Sequence, residues 1–257
     1  MNDRSEKFRN LLVPVLSVVL GLILGAILMA AFGFQPIQGY SSMLDAALGS
    51  QRGIGETLRQ ATPLIFTALG FSVANSAGFF NIGLSGQALC GWIVSVWVAL
   101  AFPDLPKVVL LPLCVILGAL AGAMAAAVPG LLRAFFGTSE VIVTIMMNYI
   151  LLYVSTFALH EVMPESYRSS LDSSNMISQN ASLRLPWLTQ AFGGSRVNSG
   201  LFLAIIALIF VWLLMKKTTL GFEIRSVGLN PFASEYAGMS SKRTVSYTHL
   251  TLPTNSL

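Results

Sequence analysis

Between Arg59 and Asp104 the chain runs 44 residues without a charged side chain, and midway sits a cluster of amides, hydroxyls and glycines, NSAGFFNIGLSGQ, at 75–87. Asn75, Asn81, Ser85 and Gln87 offer hydrogen-bond donors and acceptors there, and Phe79 and Phe80 offer aromatic faces. Further along, Thr144 and Asn148 are four residues apart and share a helix face, with Tyr149 beside them. These residue types bind a polar solute rather than break a bond in it. No nucleophile, base and orienting group are grouped, no GxxxxGK[ST] loop is present to cradle ATP, and no Cys/His cluster suits a metal. In an apolar surrounding such polar groups are costly unless buried in protein or lining a cavity, so 75–87 is read as the place where a transport path passes. The same amides have a second reading, as hydrogen bonds between membrane helices, and the aromatics, Trp92 included, a second one as packing residues. Gly78, Gly83 and Gly86 are read as hinges or close-approach points.

The surrounding composition says what positions them. Of 257 residues 54% are hydrophobic and 10% charged, and the mean hydropathy is +0.73, against roughly 25% charged in soluble domains. The fold class expected is therefore an all-α polytopic membrane protein. At ~20 residues per crossing, six spans are expected, at 11–32, 61–80, 83–102, 108–132, 141–159 and 201–215. The first is read as a retained anchor, because 22 apolar residues exceed the roughly 7–15 of a cleaved signal. Gly118 and Gly122 carry the spacing of a close helix contact. Cys90 and Cys114 fall in apolar stretches and are read as small buried residues. With the N-terminus in the cytoplasm, cytoplasmic segments hold nine Lys and Arg against six outside, which the positive-inside rule favours. The basic residues form no stripe with interleaved aromatics, so nucleic acid is not expected as a partner, while membrane lipid is.

Two segments outside the bilayer carry signals. Residues 161–200, with Pro164, Pro186 and Trp187, read either as a surface loop or as an outer surface that meets a delivering partner. The cytoplasmic segment 216–244 shows a turn at Gly221, a charged stretch with Glu223 and Arg225, a break at 228–231 and a short helix at 232–238. Asn230 suits its N-cap and Pro231 its first turn. Such a helix can plug into a groove on a soluble partner.

Three stretches, SAGFFNIGLSGQ at 76–87, GTSEVIVTIMMNYI at 137–150 and GFEIRSVGLNPFASEYAGM at 221–239, resemble the permease subunits of bacterial ABC importers. The nearest branch takes up nucleosides and simple sugars and works with lipoprotein substrate-binding partners. The resemblance covers residues 10–244, expected as one transmembrane permease domain. It implies a second permease subunit, homologous or identical, an ABC ATPase that alone uses ATP, and a site in the bacterial inner membrane with no cofactor on this chain. It implies ATPase coupling through the segment with Gly221, Glu223, Arg225, Gly228, Asn230, Glu235 and Gly238. The NIG-x-x-GQ form at 81–87 favours nucleosides over sugars. An ion-coupled secondary transporter stays as the alternative, although every Asp and Glu lies outside the expected spans, which weighs against a proton relay. The family continues into further spans where this chain gives VSYTHLTLPTNSL at 245–257, expected as a non-native tail on a shortened permease.

Overall fold

The computed structural model describes residues 3–170 and 173–239; the tail at 245–257 lies outside the described residues. Ten α-helices carry them: α1 Asp3–Ala31, α2 Pro36–Leu48, α3 Gln51–Ser76, α4 Leu84–Ala101, α5 Lys107–Phe136, α6 Glu140–Phe157, α7 Pro186–Ala191, α8 Gly200–Lys217, α9 Thr219–Leu229 and α10 Pro231–Tyr236. Between α6 and α7 lie a π-helical turn, Ala158–Val162, and a small antiparallel pair, Arg168–Ser170 with Ser173–Ser174.

Five stretches among the described residues are long and apolar enough to cross a bilayer: Leu12–Ala31, Leu84–Ala101, Lys107–Phe136, Glu140–Val162 and Gly200–Lys217. The chain is an all-α polytopic membrane protein. The expected span at 61–80 needs correction. Its helix, α3, begins at Gln51 and stops at Ser76, and it is not among the five. The cause is its polar content: Thr62, Thr67, Ser72 and Ser76 sit on it, each hydroxyl donating to a carbonyl one turn back at 2.7–3.0 Å. Phe79 and Asn81 therefore lie past the helix, in a non-helical elbow at 77–83.

The closest helix contact is between α4 and α5. A side chain added at Gly118 would overlap the Ser95 hydroxyl and come within 3.0 Å of the Gly91 carbonyl, and Ser95 donates to the Cys114 carbonyl at 2.9 Å. Small residues face each other across this pair, and Cys114 is buried there as expected. Gly137, left-handed at φ 63°, ends α5. Arg133 donates to the Gly137 and Thr138 carbonyls at 3.3 and 3.1 Å and pairs with Glu140 at 3.2 Å, so the turn into α6 is held by one guanidinium.

At the N-terminal end of α3, Glu56 joins that helix to the loop after α7. Its carboxylate accepts from the Arg196 amide at 2.7 Å and from Arg59 at 2.8 Å. The Arg196 amide bond first, and the Arg59 guanidinium second, hold the carboxyl below its ordinary range. A depressed carboxylate stabilises the fold above its unfolded pKa, and that contribution goes as pH falls through the folded value. Protection of the Arg196 amide against hydrogen exchange is expected at neutral pH and to be lost only in acid, as pH falls below the ordinary carboxylate range. Glu56→Ala should lack that protection at every pH, and equal protection in the variant would show that the carboxylate is not the tie.

Candidate functional site

The elbow between α3 and α4 leaves backbone groups without helical partners, and these need others. Gly78 turns the chain there with φ 81°, a conformation glycine takes without steric cost. Side chains answer the rest. Asn81 accepts from the Gly83 amide at 2.8 Å. From α6, Thr144 accepts from the Ile82 amide at 3.3 Å while donating to the Glu140 carbonyl at 2.7 Å. One turn on, Asn148 accepts from the Gly86 amide at 2.9 Å and donates to the Ile82 carbonyl at 2.8 Å. Gln87 pairs with Asn81 at 3.4–3.5 Å. The elbow is thus clamped to α6 by two side chains spaced i, i+4. Gly86 has to be glycine for this, because a Cβ would stand 2.9 Å from the Asn148 Oδ1.

On the open side of the clamp lies a cavity of about 390 Å³, lined by Ile82, Ser85, Gly86, Leu89, Ile145, Asn148, Tyr149 and Leu152. That volume falls among small-molecule sites of roughly 300–1,000 Å³. Of the residues expected along a path, Ser85 and Asn148 line it. Asn81, Gln87 and Thr144 sit behind it, 3%, 1% and 0% exposed, with their polar atoms turned to each other and to the backbone. Asn75 is exposed on the last turn of α3, away from this lining. Phe79 is buried with Val73, Ala77 and Ile224. Phe80 stacks edge-on against Phe71 at 5.2 Å, and Trp92 packs on the cluster of Ile93, Leu159 and Met163. The apolar walls, Ile82, Leu89, Ile145 and Leu152, were not singled out from sequence. Their signal was the repeat Ile145, Asn148, Tyr149, Leu152 on one face of α6.

The segment expected in the cytoplasm differs from expectation at two glycines. α9 runs unbroken through Gly221 and Gly228, so neither makes a turn. Gly221 is a contact, where a Cβ would come 2.6 Å from Met215 Cα. Gly228 rests on the elbow, with a Cβ 3.0 Å from the carbonyl carbons of Ser76 and Ala77. The break comes at Asn230, which caps α10 by accepting from the Ala233 amide at 3.0 Å. Pro231 stands in the first turn of α10, as expected, and Gly238 follows the helix at φ 83°. Arg225 donates to the Gly221 carbonyl at 3.3 Å, while Glu223 is half-exposed and Glu235 exposed. Missed in the sequence was the apolar surface of this segment: Phe222, Phe232, Leu229 and Tyr236 are exposed, the last two at 88% and 95%.

Apolar crossings around a clamped helix break, with a cavity of small-molecule size beside it and α9, the first of a helix pair with α10, packed on it, are the parts of a membrane transport permease. Residues 53–250 match the family model described as branched-chain amino acid transport system / permease component, and the chain belongs to that family. It is 53% identical to the nucleoside ABC transporter permease protein NupB of Lactococcus lactis, over 94% of this chain and 67% of that protein. It is 41% identical to the guanosine ABC transporter permease protein NupP of Bacillus subtilis, over 93% and 68%. Likeness to the glucose ABC transporter permease protein TsgB13 of Haloferax volcanii is 34%, over 88% and 60%. No solved structure matches the chain. Permease subunits of this kind carry no ATPase site of their own.

Proposed function

We propose that the chain is the translocation subunit through which an ATP-driven importer of the bacterial inner membrane passes nucleosides into the cytoplasm, with its N-terminus on the cytoplasmic side. The observation that carries this is the cavity at the clamped break, which offers the Ser85 hydroxyl and the Asn148 amide for ribose and base and the half-exposed ring of Tyr149 for stacking, in a chain similar to nucleoside and guanosine permeases. A binding lipoprotein delivers substrate at the outer face and a second permease subunit, homologous or identical, completes the path. The ATPase takes up the exposed Phe222, Leu229, Phe232 and Tyr236 in a groove, in the manner of an amphipathic helix read by its apolar anchors. ATP is consumed by that subunit, and this chain needs no cofactor.

Uptake of labelled nucleoside into vesicles carrying the natural locus tests the reading. It should require both ATP and the cognate ATPase. Uptake without them that collapses with an ion gradient would move the protein to the secondary transporters. Within that assay Tyr149→Ala should raise the KM for nucleoside about 5- to 150-fold, as the loss of ~1–3 kcal/mol of base stacking demands, with Vmax little changed. An unaltered KM would place the substrate elsewhere.

A further inference from the structure

The inner face of α9 carries Gly221, Ile224 and Gly228, at spacings of three and four, and each is in close contact with a neighbouring element. Gly221 lies on the end of α8, against the Leu214 carbonyl and Met215. Ile224 is 1% exposed, in a cluster with Val73, Ala77 and Phe79 and with Ala134 of α5 packed against it. Gly228 lies on the elbow itself: a Cβ there would overlap the Ser76 carbonyl oxygen, and its Cα is 3.5 Å from the point where a Cβ on Gly78 would stand. Two glycine backbones thus face each other with no side chain between them. From that contact only Phe79 and Phe80 separate Gly78 from Asn81, the first residue of the clamp.

We propose that Gly228 is a positioning residue for transport: by lacking a side chain it seats α9 directly on the elbow's backbone, so that displacement of α9 moves the elbow, and with it the floor of the cavity, as one body. Gly228 therefore works inward on the path and not outward on the ATPase. The physical basis is that a close-packed contact transmits displacement without slack, since interiors packed like organic crystals deform little. An added methyl has to push the elbow and α9 apart, and separates the driving helix from what it drives. This rests on the reading that an ATPase engages α9 and α10.

The test is the ratio of nucleoside imported to ATP hydrolysed by the whole importer, reconstituted with its ATPase and binding protein. Wild-type uptake that needs no ATP defeats the functional reading and leaves the seat without a role. With ATP-driven uptake in place, Gly228→Ala is expected to lower the ratio at least tenfold while the variant still co-purifies with the ATPase. A ratio equal to wild type overturns the proposal, as does loss of ATPase co-purification, which would put Gly228 on the docking surface. Should Gly228→Ala fail to accumulate, Phe79→Leu and Ile224→Val loosen the packing beside that contact, in the cluster that joins α9 to the elbow, and each is expected to lower the ratio severalfold. An unchanged ratio in both overturns the proposal equally.

Discussion

Changing Asn148 to leucine is expected to abolish uptake while the protein still reaches the membrane. Leucine matches asparagine closely in shape but can serve neither the Gly86 amide nor the Ile82 carbonyl, which Asn148 holds at 2.9 and 2.8 Å. The Gly86 residue is buried, and a buried polar group left without a partner costs ~1–3 kcal/mol. Even the lower figure shifts the balance against the clamped elbow by a factor of about 5. Asn148→Asp separates the two bonds. It keeps an acceptor for Gly86 but loses the donor to Ile82 and adds a charge, and is expected to fail as well. Nucleoside uptake normalised to the amount of protein in the membrane is the measurement. Normal uptake by Asn148→Leu would mean that the elbow holds without α6.

Gly118→Leu is expected to lower the unfolding midpoint in detergent by about 3–10 °C, taking ~1–3 kcal/mol for overpacking and ~2–4 °C per kcal/mol in a chain of this size. The added side chain has no room: it meets the Ser95 hydroxyl and the Gly91 carbonyl, and it displaces the bond from Ser95 to the Cys114 carbonyl. Gly21 supplies the comparison, because nothing lies within 4 Å of a Cβ built there. Gly21→Leu should leave the midpoint unchanged. Equal midpoints for both variants would show that α4 and α5 can part at little cost.

The apolar runs were legible as spans because a helix in lipid needs only length and the absence of charge. All five stretches that meet that condition begin and end within four residues of their expected limits, a match that follows from their sharp polar edges. The elbow was legible as a place but not as a mechanism. Asn81, Gln87 and Thr144 announced polarity in an apolar run, yet most of their hydrogen-bond partners are backbone amides and carbonyls, which every residue has and no residue type betrays. Glycine was ambiguous for a related reason: at Gly221 and Gly228 the requirement comes from Met215 and Ser76, distant in sequence or on another element, so the same letter that reads as a turn is a contact. Asn230 and Pro231 were legible because a cap is settled within four residues. The exposed Phe222, Leu229, Phe232 and Tyr236 were not legible in the sequence, because single-residue exposure is something only a fold assigns.

α5 has 30 residues, about 45 Å of helix at 1.5 Å per residue, against a hydrocarbon layer of about 30 Å. Such a helix tilts or projects, and its last turns carry Ala134 onto the cluster that holds Ile224 and Phe79. Bilayer thickness therefore bears on the angle of a lever whose far end rests on that cluster, so lipids of shorter or longer acyl chain reach the permease as a mechanical load at that end of the helix.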